Sequence, residues 1–370
     1  MGSVGGSHQP WLAWMRRALQ LASLAEGRTS PNPLVGAVVL DADGRLVGEG
    51  FHARAGEPHA EPVALAQAGD AARGGTIIVT LEPCCHHGRT PPCTEAILAA
   101  GVRRVVVALT DPDPRVAGGG LQRLRDAGLE VISGVLAVEA AHQNRAFIHR
   151  VQTGRPWGVL KWAMSLDGRT ALPNGASQWI SGPPARAWVH GLRAQCDVVI
   201  VGGGTVRADD PLLTSRGRRT PEPLRVVLSR SLDLPAGAQI WDQQVASTLL
   251  AYPQQAESAL SADLRAVVHT QAVAMQALDA SEPELLLTAL AQRGCNRVLW
   301  ECGPGLAAAA IQQGCVQEIA AVIAPKLLGG ELAHTPLGDL GFTSMDQVQL
   351  LRGDDVLRLG DDLLLKARLT

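Results

Sequence analysis

The sequence predicts an α/β protein with two domains, and three observations support this prediction. The chain has 370 residues, whereas a typical domain has roughly 150. Hydrophobic residues make up 46% of the chain and charged residues 18%, which is enough apolar material for sizeable cores. Short apolar runs alternate with helical patterns through both halves, and this alternation favours mostly parallel sheets covered by helices.

The first block spans residues 11–150. It follows a Gly- and Ser-rich segment, residues 1–10, which we expect to be a flexible leader and not a signal peptide. The turn residues Asp41–Gly44 between two apolar runs indicate a hairpin. The expected elements are a helix at Trp11–Ala25, strands at Val35–Leu40 and Leu46–Phe51, a helix at Glu61–Ala72, a strand at Thr76–Leu81, a helix at Thr94–Ala100, a strand at Val102–Leu109 and a helix at Val135–Arg150.

The second block, residues 151–370, begins around a linker at Thr153–Pro156, so we place the domain boundary near residue 150. The segment Gln243–Glu282 is Ala- and Gln-rich and only weakly patterned, and no chemistry is assigned to it. The expected elements are strands at Val159–Met164, Val198–Val201, Arg225–Leu228 and Arg297–Trp300, with helices at Pro184–Gln195 and Leu306–Gln313.

The charge balance and the cysteine count exclude several classes of function. The 33 basic and 35 acidic side chains leave a net charge of −2, so the chain as a whole is not attracted electrostatically to nucleic acid or to an anionic membrane, although a local basic patch is not excluded. No run of 18 apolar residues occurs, and no membrane span is expected. Seven cysteines, three of them within Cys84–Cys93, favour a metal site in a cytoplasmic protein over a disulfide framework.

The densest chemistry lies in the order His59, Glu61, Cys84, Cys93. An imidazole and two thiolates supply three zinc ligands and leave a fourth position for water, as in catalytic zinc sites. Glu61 lies at a helix start, where it can exchange a proton with that water without binding the metal. The order is that of zinc nucleobase deaminases, although here the second cysteine lies nine positions after the first.

Other residues of the same segment compete for the metal. Cys85 is adjacent to Cys84 and would point elsewhere, so we interpret it as structural. His86 and His87 suit substrate contact or loop exposure better than ligation. The non-enzymatic alternative is a structural zinc clip in a binding module, but such a clip normally has a fourth protein ligand and would leave Glu61 without a role.

Three strings around these residues resemble the deaminase half of the bifunctional riboflavin-biosynthesis deaminase/reductase family: Pro31–Gly36 (PNPLVG), Gly48–Glu61 and Thr80–Cys93 (TLEPCCHHGRTPPC). The resemblance implies a cytidine-deaminase-like α/β/α sandwich. Its substrate would be a diaminopyrimidinone with a phosphoribosylamino group, whose 2-amino group is hydrolysed. The implied substrate contacts are Asn32, His52, His86, His87 and Arg89.

Two residues depart from the family pattern. Cys85 stands where a small polar residue is expected, and Asp113 stands where Asn is expected. Both lie near the site, so they affect the expected substrate contacts and not the zinc ligands. Arg89 makes independent sense, because a planar guanidinium suits the phosphate of the substrate.

In the second block, glycines follow two strand candidates. Gly202–Gly204 follows Val198–Val201 and is a weak dinucleotide-binding signal. Gly303-Pro304-Gly305 follows Arg297–Trp300 and opens an Ala-rich helix, so its backbone can approach a phosphate. From these residues alone, a plain strand-to-helix turn is an equally good interpretation.

Further strings resemble the reductase domain of the same family: Lys161–Arg169 (KWAMSLDGR), Ser177–Ser181, Gly203–Thr214, Glu301–Pro304 and Ala324–Lys326. The resemblance implies a dihydrofolate-reductase-like α/β domain that uses NADPH to reduce the ribosyl group to a ribityl chain. It places the cofactor on Ala163, Trp179, Thr205, Asp209, Ser229, Gly303, Pro304, Gly305, Leu306, Ala307, Ala308 and Ala309. It places the substrate on Ser177, Arg193, Leu213, Arg216 and Glu301.

Some roles in this half can be argued from chemistry. Arg193 and Arg216 suit a phosphate clamp. Reduction also needs a general acid, and no residue is an unambiguous candidate. Asp209 and Glu301 are the nearest carboxylates, and we expect them to orient the reactants and not to protonate them.

The sequence as a whole therefore predicts a bifunctional enzyme that holds one zinc ion per chain and binds NADPH. It would act on a small phosphorylated pyrimidine, without nucleic-acid or membrane partners. The resemblance also implies a homo-oligomer, a dimer or higher, formed through the reductase domain. The alternative is a zinc deaminase for a different nucleobase or nucleoside fused to an unrelated domain. The long Cys84–Cys93 insert and the Asn32 segment argue against that alternative.

Overall fold

The computed structural model describes residues 8–86, 91–113, 117–331 and 333–369. Packing divides the chain into two compact units, Met1–Gly154 and Arg155–Thr370. Of the leader expected at residues 1–10, the first seven lie outside the described residues, and Gln9–Trp11 forms a 3-10 turn that leads into the first helix. No helix in the described part of the chain is long and apolar enough to cross a membrane.

The first unit contains, among its described residues, a five-stranded sheet between two layers of helices. Its elements in chain order are α1 (Leu12–Ser23), β1 (Gly36–Leu40), β2 (Leu46–Phe51), α2 (Ala60–Ala68), β3 (Thr76–Leu81), α3 (Cys93–Ala100), β4 (Arg104–Leu109), α4 (Gly119–Asp126), β5 (Glu130–Ser133), α5 (Ala137–Gln143) and α6 (Arg145–Thr153).

Alternate strand residues face opposite helix layers. Val39 and Ile77 pack into the cluster that also contains apolar residues of α2, α3 and α4. Val38 and Ile78 pack on the other face, with α1 and α5. The α/β/α arrangement predicted for this half is therefore confirmed.

The sheet of this unit is less parallel than predicted. Its order is β2-β1-β3-β4-β5. Strand β1 pairs antiparallel with both β2 and β3, and the β3–β4 and β4–β5 pairs are parallel. The hairpin turn at residues 41–44 explains one antiparallel pair, because a short turn can join only antiparallel neighbours. Strand β5 was not predicted, since it has four residues and polar ones at both ends.

Two glycines in β2 allow α2 to lie close against the sheet. A Cβ atom added at Gly48 would lie 2.2 Å from the carbonyl oxygen of Ala64, and one at Gly50 would lie 2.5 Å from that of Ala60. Both neighbours are helix backbone, so no side chain fits at either position. This backbone contact fixes the position of α2, and with it the residues at the start of that helix.

The helix predicted at Val135–Arg150 is instead two helices, α5 and α6, which meet at Asn144. The Asn144 amide is buried; it donates to the carbonyl oxygen of Leu34 at 2.9 Å and accepts from the backbone N–H of Leu34 at 2.8 Å. Asn side chains often bond to backbone outside helices. The apolar pattern continues across the break, which is why the sequence suggested one helix.

The second unit is built on a nine-stranded sheet, counted over its described residues. Its elements are β6 (Trp157–Ser165), α7 (Pro183–Ala194), β7 (Val198–Gly202), α8 (Gly203–Asp209), β8 (Leu224–Leu228), β9 (Thr248–Pro253), α9 (Ala262–Thr270), β10 (Ala274–Leu278), α10 (Pro283–Gln292), β11 (Arg297–Trp300), α11 (Pro304–Gln312), β12 (Glu318–Ala324), β13 (Leu351–Leu359) and β14 (Asp362–Leu369).

This second sheet is mostly parallel, as predicted, in the order β10-β9-β8-β7-β11-β6-β12-β14-β13. Only β14 runs antiparallel to its neighbours β12 and β13. The weakly patterned segment Gln243–Glu282 contains β9, α9 and β10. The carboxyl ends of β6, β7, β8 and β11 meet at one edge, where open α/β sheets bind their ligands.

Replacing Asn144 by Ala tests the joint between α5 and α6. We expect Asn144→Ala to lower the free energy of unfolding of the first unit by about 1–3 kcal/mol, because both backbone groups of Leu34 lose a buried partner. Urea denaturation followed by circular dichroism measures this change. Gln122→Ala, on the exposed face of α4, is the control and should stay within about 0.5 kcal/mol of the wild type; equal effects of the two substitutions contradict the assignment.

Candidate active sites

Three potential metal ligands converge in the first unit. His59 is the N-cap of α2, Cys93 is the first residue of α3, and Cys84 lies in the loop after β3. His59 Nδ1 lies 3.2 Å from Cys93 Sγ and 3.8 Å from Cys84 Sγ. The three ligand atoms lie within 4.8 Å of one another, and no fourth His, Cys, Asp or Glu of the described residues joins this group.

The protonation of the two thiols is coupled. The pKa of Cys84 is lowered to about 4, chiefly by a hydrogen bond from the Cys93 thiol and also by His59. The pKa of Cys93 is raised because that thiol is the donor. The backbone N–H of Cys93, at the start of α3, also donates to Cys84 Sγ at 3.3 Å. The cluster therefore favours a thiolate, the form in which cysteine binds metals.

Glu61 lies beside this cluster without belonging to it. It is in the first turn of α2 and is 3% exposed. Burial raises the pKa of its carboxyl to about 7, against the opposing effect of the nearby His59. A buried carboxyl next to three potential ligands is well placed to carry protons.

His52 and Asn32 form a hydrogen-bonded pair next to the ligands. His52 Nδ1 donates to the carbonyl oxygen of Pro58 at 3.1 Å, so its Nε2 accepts from Asn32 Nδ2 at 3.0 Å. Burial lowers the pKa of His52, which favours this neutral form. The rings of His52 and His59 meet edge to face, with centroids 5.3 Å apart. Asn32 and His52, both predicted from the sequence, thus lie at the cluster.

The remaining predicted residues of this site follow β3 in the sequence. His86 is exposed, and His87 and Arg89 lie outside the described residues. Cys85 lies against α4, where a Cβ atom at Gly119 would be 3.2 Å from its sulfur. This contact agrees with the structural interpretation of Cys85.

Glu82 is a buried residue of this site that the sequence interpretation did not single out. Its carboxylate accepts hydrogen bonds from four backbone N–H groups, those of Asp111, Gly118, Gly120 and Leu121, at 2.8–3.1 Å. It therefore ties the start of α4 to the backbone just before Cys84. The available signal was an acidic residue directly after a largely apolar strand, a position where burial demands hydrogen bonds.

In the second unit, an open cleft of about 1360 Å³ lies at the carboxyl edge of the sheet. Its lining includes two glycine segments, Gly202–Gly204 after β7 and Gly303–Gly305 after β11. Apart from the neighbouring residues and backbone of its own helix, no atom lies within 4 Å of the place where a Cβ would stand at Gly204 or Gly305. These glycines leave open space at the cleft wall, so the backbone is accessible to a ligand as large as a dinucleotide.

A buried charge network forms one wall of the cleft. Glu301 receives two hydrogen bonds from Arg193, at 2.6 and 3.1 Å, and its Oε2 lies 3.6 Å from Lys161 Nζ. Burial alone would raise the pKa of Glu301, but Arg193 and Lys161 lower it to about 2. The sequence did not mark Lys161 as a site residue, although a lysine within the apolar strand β6 was a signal.

Arg193 differs from the phosphate clamp that the sequence suggested. Three of its N–H groups already bond to Glu301 and to the carbonyl oxygen of Thr214. Arg216 has no acidic partner among the described residues and lines the same cleft. Of the two arginines, Arg216 is the better placed to hold an anion.

Most of the other predicted residues also line the cleft: Ala163, Ser177, Trp179, Thr205, Asp209, Leu213, Ser229, Leu306 and Ala309. Ala307 and Ala308 do not. They are buried in α11, and Ala307 packs in the hydrophobic cluster beneath that helix. The run Gly303–Ala309 is a contiguous string, whereas only part of a helix can face a ligand.

The cluster and the cleft together define the class of this protein. It is a two-domain enzyme with a deaminase-type metal centre in the first unit and a reductase-type cleft in the second. Residues 10–109 match the family model of the cytidine and deoxycytidylate deaminase zinc-binding region. Residues 156–365 match the model of the RibD C-terminal domain.

Known proteins are also similar to this chain over nearly its whole length. The riboflavin biosynthesis protein RibD of Synechocystis is 49% identical over 352 residues, covering 95% of this chain and 94% of that protein. The structure of Acinetobacter baumannii RibD superposes with a TM-score of 0.88 at 39% identity, covering 98% and 99% of the two chains. A Thermotoga maritima deaminase/reductase gives a TM-score of 0.87 at 34% identity, covering 98% and 100%.

The chain belongs to the RibD family, the bifunctional deaminase/reductases of riboflavin biosynthesis. The predicted family, fold class and pair of activities are thereby confirmed. The alternative of a deaminase fused to an unrelated domain is not favoured.

Glu82→Gln tests the carboxylate that anchors the loop before Cys84. We expect it to destabilise the first unit by about 1–3 kcal/mol, because an amide has one acceptor oxygen for four buried or partly buried N–H donors. Thermal unfolding measures the change. Glu130→Gln is the matched control, since Glu130 makes one exposed ion pair with Arg104 and should cost below about 1 kcal/mol. A Glu82→Gln protein as stable as this control contradicts the anchoring role.

Proposed function

We propose that the first unit hydrolyses the 2-amino group of a diaminopyrimidinone that carries a phosphoribosylamino group, and that the second unit reduces the ribosyl group of the product to a ribityl chain with NADPH. The Thermotoga relative is described as a diaminohydroxyphosphoribosylaminopyrimidine deaminase/5-amino-6-(5-phosphoribosylamino)uracil reductase. The observation that carries the proposal is the convergence of His59, Cys84 and Cys93 beside the buried carboxyl of Glu61.

The donor set fits one zinc ion per chain. One imidazole nitrogen and two sulfurs are typical ligands of a catalytic zinc site with three protein ligands. Zinc at this position supplies a Lewis acid that makes water nucleophilic near neutral pH. His52 and Asn32 would hold the pyrimidine close to the cluster, together with His86, His87 and Arg89.

Glu61 is proposed as the catalytic acid–base residue. It would accept a proton from the attacking water and return it to the departing amine, and its buried position keeps bulk water from competing. The rigid start of α2 carries both Glu61 and the ligand His59, so their separation is set by the helix.

Glu61→Gln separates metal binding from proton transfer. We expect it to keep the wild-type zinc content, about one ion per chain, and to slow ammonia release on the order of 10²–10⁴-fold. Zinc is measured by atomic emission and ammonia by a coupled assay. Cys93→Ala is the contrasting variant and should lose zinc, and NADPH-dependent reduction of pre-deaminated substrate should survive in both. Loss of zinc in Glu61→Gln would assign the carboxylate to the metal instead.

In the second unit, the wall formed by Glu301, Arg193 and Lys161 is proposed to hold the substrate. Paired cations keep the Glu301 carboxylate ionised in a buried place, so it can accept hydrogen bonds from the substrate and orient it. NADPH supplies the hydride. Ala163, Trp179, Thr205, Asp209 and the glycine segment after β11 would position it, with Ser177 and Leu213 completing the substrate side.

Arg216→Gln tests the proposed phosphate contact of the substrate. Removing a guanidinium that contacts phosphate equally in ground and transition states should raise the KM for the pyrimidine about ten- to hundredfold with little change in kcat. The KM for NADPH should stay constant. Steady-state kinetics on deaminated substrate measures both values. A fall in kcat with an unchanged KM contradicts the assignment.

Self-association through the second unit is also proposed. Strand β13 is the last strand of the sheet order, and Val356, Leu363 and Leu365 lie on the face of the β13–β14 hairpin opposite to Leu364, which is buried in the core. Val356 is 67% exposed. An edge strand with exposed apolar residues is suited to pairing with a second copy of the chain.

Val356→Glu tests this surface. We expect it to shift the protein from a dimer or larger assembly to a monomer, since burying an unpaired carboxylate in an interface is costly. Sedimentation velocity measures the distribution. Val138→Glu, at a position on α5 that is 80% exposed, is the control and should leave the assembly intact. Dissociation by both variants, or by neither, contradicts the proposed surface.

A further inference from the structure

The basic side chains that line the cleft of the second unit differ in whether they are already paired. Lys161 and Arg193 bind Glu301, and Arg207 lies 3.6 Å from the carboxylate of Asp233. Arg186 lies over the ring of Trp179 and donates to the carbonyl oxygen of Ser181. Within the described residues this leaves two other arginines of the lining without an acidic partner, Arg216 and Arg230.

These two arginines lie at different parts of the cleft. Arg216, like Arg193 and Glu301, lies close enough to His190 to influence its pKa, so we place Arg216 with the wall that contains Glu301. Arg230 follows the carboxyl end of β8 and is exposed. Strand β8 is separated from β11 by β7, so the two strand ends are about 10 Å apart across the sheet.

The separation between these two strand ends indicates how a dinucleotide would be oriented in the cleft. The substrate wall, with Glu301 and Lys161, lies at β11 and β6. The hydride-donating end of the cofactor must face this wall, and the glycine segment after β11 can approach its pyrophosphate. The adenosine half then extends past β7 towards the end of β8, where Arg230 stands.

The residues after β8 indicate which dinucleotide fits. Proteins that bind NAD place an acidic side chain against the ribose 2′-hydroxyl, whereas an arginine accommodates the 2′-phosphate of NADP. Here β8 is followed by Ser229, Arg230 and Ser231, and the first carboxylate, Asp233, is held by Arg207. The planar fork of arginine can bind two phosphate oxygens at once.

Ser229 has a supporting role in this arrangement. It is 3% exposed, and its hydroxyl accepts a hydrogen bond from the backbone N–H of Leu232 at 3.1 Å. Leu232 is itself buried in the core. The hydrogen bond and the buried Leu232 side chain therefore hold the turn after β8 against the core. This turn places Arg230 at the lining of the cleft.

We propose that Arg230 binds the 2′-phosphate of NADPH and sets the preference of this enzyme for NADPH over NADH. The inference rests on the proposed function in two respects: a nicotinamide dinucleotide is the cofactor of the second unit, and the wall with Glu301 is the substrate side of the cleft. It assigns Arg230 to the adenosine end of that cofactor, and leaves Arg216 to the phosphate of the substrate.

Binding without turnover tests the proposal. Isothermal titration calorimetry on the full chain compares NADP⁺ with NAD⁺, and adenosine 2′,5′-bisphosphate with 5′-AMP, which differ only in the 2′-phosphate. Arg230→Gln should weaken NADP⁺ and the bisphosphate about ten- to hundredfold, the loss expected for hydrogen bonds to a charged group. It should leave NAD⁺ and 5′-AMP within about twofold of the wild type.

Three further variants sharpen the test. Arg230→Lys keeps the positive charge but lacks the planar guanidinium that can bind two phosphate oxygens. It should therefore lose part of the preference for NADP⁺ over NAD⁺. Arg265→Gln removes an exposed arginine of α9 that does not line the cleft, and it should change neither ligand by more than about threefold at physiological salt, because distant exposed charges are screened. Arg207→Gln removes the paired cation nearby and should retain the preference for NADP⁺.

The outcomes distinguish this inference from the proposed reductase function. Equal weakening of NADP⁺ and NAD⁺ by Arg230→Gln, no weakening of either, or loss of the preference only in Arg207→Gln overturns the role of Arg230. A wild-type protein that binds neither dinucleotide overturns the cofactor assignment itself. Circular dichroism of each variant confirms folding, which an exposed position should not disturb.

Discussion

The chemistry of the first unit depends on two helix starts that lie on the same face of one sheet. Helix α2 begins next to His59 and α3 begins at Cys93, and both pack into the same apolar cluster. Residues 34 positions apart in the chain thereby place His59 Nδ1 and Cys93 Sγ 3.2 Å apart. If either helix moved along the sheet by one turn, about 5.4 Å, the ligand geometry would be lost.

The cleft wall of the second unit depends on a different physical constraint, which is the pairing of a buried carboxylate with two cations. Glu301 is 10% exposed in its side chain and is held between Arg193 and Lys161. A buried ion pair of this kind adds little net stability, because desolvation offsets much of the attraction. The network is therefore better explained by the substrate-binding role proposed for this wall than by a contribution to folding.

Much of the fold and of the first site could be predicted from the sequence, for identifiable reasons. His59, Cys84 and Cys93 belong to residue types that are scarce in this chain, and with Glu61 they follow the order typical of zinc deaminases. The buried strands are mostly continuous apolar runs. Asn144 could not be recognised as a helix break, since its partner Leu34 is 110 residues away. The pairing of Arg193 with Glu301 is equally long-range, and the orientation of Ala307 and Ala308 depends on how α11 packs.

The glycines of β2 carry a consequence for how the metal centre is encoded. Gly48 and Gly50 offer no functional group, yet the helix that begins beside His59 rests directly on their backbone. The position of His59 relative to the other potential ligands therefore depends partly on these two glycines. A side chain at either position would push α2 away from the sheet. A search for catalytic determinants among polar side chains alone would miss Gly48 and Gly50. The distances between the potential ligands nevertheless depend on the absence of side chains at these two positions.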